Sequence, residues 1–195
     1  MRLPMFSCGL ALTVAFAAYG QEDTKPPGNV SVVSAARMLD VRNGRMIENV
    51  QVLIQDGRIR KIAHGKDAAV ATPGTPRHDL GDVTLLPGLI DMHVHIDSDP
   101  TYSGYSYLQF SDRFWSAISV THAQKTLMAG FTTVRNLGSE DWNDVGLQQA
   151  IDEGKAAGPR IIPAGYAFGA PGGHCDSTYF PPSMNDRNPY NAESP

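Results

Sequence analysis

Two histidines one residue apart, His93 and His95, lie within the run Leu85-Leu86-Pro87-Gly88-Leu89-Ile90-Asp91-Met92-His93-Val94-His95-Ile96-Asp97. The run opens as an apolar stretch of strand length. Its second half alternates polar with apolar residues, the period of a β-strand. That period predicts Asp91, His93, His95 and Asp97 on one face and Met92, Val94 and Ile96 on the other. Two neutral imidazoles at i and i+2 on a strand are close enough to hold one metal ion through their ring nitrogens. A pair of strand histidines is also compatible with a purely structural role, so placement decides. Pro87-Gly88 introduces the run and polar, glycine-containing sequence follows from Asp97 to Gly104, which sets the pair at the C-terminal end of its strand. In parallel α/β barrels that end carries the chemistry, because the βα loops open there.

A second candidate is His174, in Gly172-Gly173-His174-Cys175-Asp176. It follows what reads as a third strand, where a mouth loop would touch substrate, and a loop-stabilising role is the alternative. Its neighbour Cys175 reads as buried or merely adjacent, because a thiol nucleophile needs a base and an orienting group that sequence adjacency does not supply. Tyr179 and Pro181-Pro182 are expected to order the same loop.

The elements that must position these residues read as repeated βα units. Ser111 can cap a helix running to about Met128, carried by Phe114, Ala117, Ile118, Ala123, Leu127 and Met128 and stopped by Gly130. His122 falls within it and reads as structural. Phe131 to Leu137 is the next strand, rich in β-branched residues. Arg135 and Asn136 close it, so one of them is expected to face the mouth. A second helix starts at Asn143 or Asp144 and ends near Gly154, and a third strand spans Arg160 to Tyr166. Strand, helix, strand, helix, strand is the right-handed pattern of a parallel sheet.

Upstream, Val30 to Leu39, Gln51 to Gln55 and Arg58 to His64 read as short β segments separated by turns at Asn43-Gly44 and Asp56-Gly57, dipeptides that supply the positive φ of tight hairpins. They suggest a small β-sandwich. Asp67 to His78, rich in Ala, Thr, Pro and Gly, reads as a loop, with His64 and His78 solvated or packed. Met1 to Gly20 reads as a secretory signal: Arg2, then an apolar Leu10 to Ala18, then the small-x-small Ala18-Tyr19-Gly20. The apolar run is shorter than the ~20 residues of a membrane span. The expectation is therefore export to the periplasm or medium, loss of Cys8, no stable membrane anchor after cleavage, and no internal disulfide for Cys175. Residues 21–29 read as a linker.

Bulk properties are those of a globular chain. Of 195 residues 42% are hydrophobic, and a net charge of −4 leaves no electrostatic footprint for nucleic acid.

Three elements together resemble the amidohydrolase superfamily, metal-dependent hydrolases built on a (β/α)8 barrel. They are Pro87-Gly88-Leu89-Ile90-Asp91-Met92-His93-Val94-His95, Gly130 to Asn136, and Gly158-Pro159-Arg160-Ile161-Ile162. With Gly172 to Asp176 they look most like the imidazolonepropionase-like branch that includes Xaa-Pro dipeptidases. The resemblance implies that His93 and His95 are first-strand ligands to a divalent metal, typically zinc, with one or two ions in the complete enzyme. It also implies a metal-activated water attacking an amide, peptide or cyclic amide in a small-molecule or dipeptide-like substrate. The remaining family elements, a strand-four lysine or carboxylate, two further histidines and a general-base aspartate, are expected beyond Pro195, so no catalytic residue is assigned within the chain. The family pattern often carries an acid where this chain has Asn136.

The expected organisation is a signal peptide at 1–20, a linker at 21–29, an incomplete β-sandwich at 30–84, and at 85–195 the first three βα units of an unclosed barrel. That last stretch is about half of the ~200 residues or more a closed barrel takes. The expected function is the N-terminal fragment of a metal-dependent amidohydrolase, inactive alone. Two alternatives stand beside it: a non-catalytic secreted binding module, and a cyclic-imide hydrolase or deaminase of the same superfamily.

Overall fold

A computed structural model describes residues 29–65, 71–176, 181 and 183. The signal-peptide reading, Cys8, Tyr179 and Pro182 lie outside the described residues. These form two compact units that part between Leu85 and Leu86. Among the described residues no helix is long and apolar enough to cross a membrane.

In the first unit, β1 (Val30–Asp40), β2 (Arg45–Gln55) and β3 (Arg58–His64) form an antiparallel meander. Asn43-Gly44 closes the first hairpin, with Gly44 at φ +68°, and Asp56-Gly57 the second, at φ +52° and +70°. β2 is longer than the apolar segment Gln51 to Gln55 predicts. Arg45 to Glu48, largely exposed, joins the sheet through its ladder with β1 rather than through burial. The expected loop near His78 contributes a strand, β4 (Arg77–Asp79), parallel to β1, and β5 (Thr84–Leu85) pairs further along β1. The described strands thus make a single five-stranded sheet, and a facing second sheet is not among them. Val32, Ala35, Val50, Val52 and Ala63 are its buried residues. His64 and His78 are exposed.

The second unit is a parallel sheet of β6 (Leu89–Val94), β7 (Phe131–Asn136) and β8 (Arg160–Ile162), connected through α1 (Asp112–Met128) and α2 (Asn143–Asp152). Its core is Ile96, Ala123, Val134, Leu147 and Ile161, with Val94, Phe131 and Ile151 packed against it. The buried positions of α1 are Trp115, Ser119 and Ala123 at four-residue spacing, while Ala117 and Met128 are exposed. The expected apolar stripe is therefore rotated onto the tryptophan side. The rotation lets Trp115 stack on Tyr107, ring centroids 4.3 Å apart, beside Tyr102, Phe110 and Phe114.

Gly158 has a packing reason. A Cβ there would approach the Ala123 Cβ to 2.9 Å, so only glycine lets the start of β8 lie against both helices. β8 is shorter than Arg160 to Tyr166 predicts. Pro163 has no N–H for the ladder, and the amides of Ala164 and Gly165 instead donate to the Asp144 carboxylate at 3.1 Å each.

Candidate functional site

The His93 and His95 rings lie side by side, centroids 5.4 Å apart and planes inclined at 68°. Both residues are exposed, at the C-terminal end of β6. The simple alternation expected of this strand is broken by a bulge: Asp91 pairs with Val134 but Val94 with Asn136, three residues against two. The four polar residues consequently do not form one set. Asp91 Oδ1 accepts the His93 N–H at 3.0 Å, and Asp97, past the strand end, is buried with its carboxylate accepting from Ser139 Oγ at 2.6 Å. Burial pushes the Asp97 carboxyl above its ordinary range, more than the Ser139 bond pulls it down.

Among the described residues no third His, Cys, Asp or Glu joins the histidine pair in a group able to hold a metal. The donor chemistry fits a divalent ion: two exposed imidazoles stand side by side at a strand's end, and His95 Nδ1 lies 3.5 Å from the Gly138 carbonyl, which would leave Nε2 for a ligand. A zinc ion usually takes three or four protein ligands, so two imidazoles would supply only part of such a set.

His174 is exposed on the loop after β8, whose turn is held by Gly172 N–H donating to Asp176 at 2.7 Å. The structure does not bring it into a metal-holding group with His93 and His95. Cys175 is half-buried and forms no disulfide among the described residues. His122 faces the Ile96 carbonyl through Nδ1 at 3.0 Å, the structural role expected of it.

Sequence reasoning singled out Asn136 with Arg135 at the end of the strand, but missed Asp144 and the buried network in which Asn136 lies. Asn136 and Asp144 are both fully buried. Asn136 Oδ1 accepts the Ile96 N–H at 2.8 Å, and its Nδ2 donates to the Gly138 carbonyl at 3.0 Å and to Asp144 Oδ2 at 3.2 Å. Ser139 Oγ bridges the network by accepting the Asp144 N–H at 3.1 Å while donating to Asp97. For Asp144 the one signal available was an acid in the first turn of α2, which reads equally as an ordinary helix start. Tyr107, whose hydroxyl donates to Glu140 at 2.7 Å, ties the loop after β6 to the loop after β7. Its burial, and then that bond, hold the phenol above its usual range.

The three strands form a parallel sheet, and the paired imidazoles lie at the C-terminal end of its first strand. The amidohydrolase family model matches residues 84–193, and the chain belongs to that family. A Xaa-Pro dipeptidase solved with methionine in its active site superposes with a TM-score of 0.71 at 28% identity, over 84% of this chain and 41% of that one. A prolidase solved with N-methylphosphonate-L-proline gives 0.67 at 31% identity, over 82% and 37%. A dihydroorotase of Geobacter sp. (strain M21) is 38% identical over 65 residues, 33% of this chain and 14% of that protein. The chain thus spans less than half the length of each.

Proposed function

We propose that this chain carries the opening part of the site of a metal-dependent hydrolase that cleaves the carbon–nitrogen bond of a dipeptide-like substrate, with His93 and His95 as two ligands of a divalent ion, zinc by its donor set. The observation that carries the reading is the pair itself: adjacent, exposed imidazoles at the C-terminal end of the first strand of a parallel sheet. When bound, the metal would lower the pKa of a water and polarise the scissile carbonyl. The chain's own residues present two imidazoles, hold the loops that flank them, and keep the Asp97 carboxyl out of water. The dipeptidase and prolidase neighbours favour a short peptide as substrate. Identity with a dihydroorotase favours, as a second reading, a cyclic amide.

The leader composition supports an exported protein, and the division of the chain supports a β unit ahead of the barrel. His174 is retained as a substrate contact on its mouth-loop position. The test is hydrolysis of Xaa-Pro dipeptides and of a cyclic amide by the complete reading frame with zinc. His93→Ala and His95→Ala should each abolish turnover, and activity surviving both substitutions would refute the reading.

A further inference from the structure

The buried carboxamide of Asn136 reaches His95 from two directions. Its Oδ1 takes the N–H of Ile96, the residue next to His95, and its Nδ2 holds the Gly138 carbonyl that faces His95 Nδ1. That carbonyl is fixed on either side as well. Leu137 N–H donates to Val94 O at 3.0 Å, and Ser139 N–H donates to Gly165 O at 2.8 Å. Gly138 itself sits at φ +135°, and a Cβ there would lie 3.1 Å from the Ala167 Cβ and 3.7 Å from His95 Cε1. The backbone therefore passes close against the imidazole, at a point where a side chain would crowd it.

We propose that Asn136 is a positioning residue: acting through the Gly138 carbonyl and the Ile96 amide, it fixes the His95 ring with Nδ1 protonated and Nε2 bare, the state in which an imidazole ligates a divalent ion. The use of that state rests on the metal-ligand reading above, but the state itself does not. The geometry also accounts for an amide at this position instead of an acid. A carboxylate at 136 could still accept from Ile96, but its second oxygen would meet the Gly138 carbonyl oxygen and the Asp144 carboxylate, both acceptors, where Asn136 now donates at 3.0 and 3.2 Å. Asp144 cannot yield, because the amides of Ala164, Gly165 and Val145 also bond to its carboxylate. The chain has the one side chain of this shape that accepts on one side and donates twice on the other.

The experiment is long-range proton–nitrogen NMR of the imidazoles in the metal-free full chain near neutral pH, with His95 assigned by its loss in His95→Ala. The native chain should show His95 as the Nδ1-protonated tautomer, the reverse of what free neutral histidine favours. Asn136→Asp should return it to the Nε2-protonated or averaged form. Asn136→Ser, which keeps a hydroxyl too short to span both partners, should do the same should the aspartate variant fail to fold. Ser139→Ala serves as the control: it removes a buried bond to Asp97 and another to Asp144 without touching Asn136, so it should lower the melting temperature and leave the His95 tautomer unchanged. A native His95 that is Nε2-protonated or averaged would overturn the proposal whatever the variants do, as would a His95 unmoved by Asn136→Ser. Zinc uptake measured on the same samples separates the two claims, because a fixed His95 ring in a chain that takes up no zinc would contradict the metal reading and leave the positioning intact.

Discussion

The two units solve the same problem, keeping a β-sheet together, with different interiors. Among the described residues the first buries only apolar side chains, Val32, Ala35, Val50, Val52 and Ala63, beneath the ladders of its strands. The second buries Asp97, Asn136, Ser139 and Asp144 beside its apolar core. Buried polar groups cost free energy unless fully bonded, so a sheet needed only as a sheet has no use for them. These four cluster where strands give way to loops, and two of them hold stretches of backbone: Asn136 bonds Ile96 after β6 and Gly138 after β7, and Asp144 bonds Ala164 and Gly165 after β8. The contrast separates a sheet stabilised by packing from one whose strand ends are aimed.

Asp144 makes the hardest test of that contrast. Asp144→Ala strips the acceptor from two loop amides and from Asn136, and should cost roughly 3 kcal/mol or more. Both tryptophans of the chain, Trp115 and Trp142, lie in the second unit, so urea unfolding followed by their fluorescence reports it. An unchanged midpoint would mean that the network does not hold the loops.

In the first unit the expected sensitivity is to volume. Val50 is 1% exposed, and Val50→Ala should cost about 2 kcal/mol by far-ultraviolet circular dichroism while zinc uptake stays as it was. Gly57→Ala, at φ +70° in a hairpin turn with nothing to clash against, should cost only about 1 kcal/mol, and a larger loss would point to a constraint beyond the turn.

The smallest effect is on pH dependence. The Asp97 carboxyl is held above its ordinary value of 3.8, chiefly by burial, so the folded state favours its neutral form. Its contribution to stability is complete below that ordinary value and is lost as pH rises through the folded one. Asp97→Asn should remove that decline from melting curves taken across the acid range. A slope identical to the native chain's would show that burial of this carboxyl does not matter to stability.

What was legible in the sequence follows the same division. Hairpins in the first unit are written in Asn43-Gly44 and Asp56-Gly57, because positive φ is a local demand that few residues meet. Helix α1 could be read from Ser111 and Gly130, and the histidine pair from its spacing. β4 was not legible: its three residues are exposed and owe their strand conformation to β1, more than 40 positions away in sequence. The register shift between Asp91 and Val94 was hidden for a similar reason, since it is set by the pairing with β7. Asn136 stood out only as a strand-end residue, and its pairing with Asp144 carries no pattern at all. They are eight residues apart, on a strand end and a helix start, and only the closing of the loop between them makes them partners.

Zinc titration of the metal-free chain by calorimetry, native against His93→Ala/His95→Ala, addresses the site most directly. The native chain should take up one zinc ion weakly, as two imidazoles of a larger ligand set would, and the double variant should take up none. Equal zinc uptake by both, or none by the native chain, would contradict the assignment of His93 and His95.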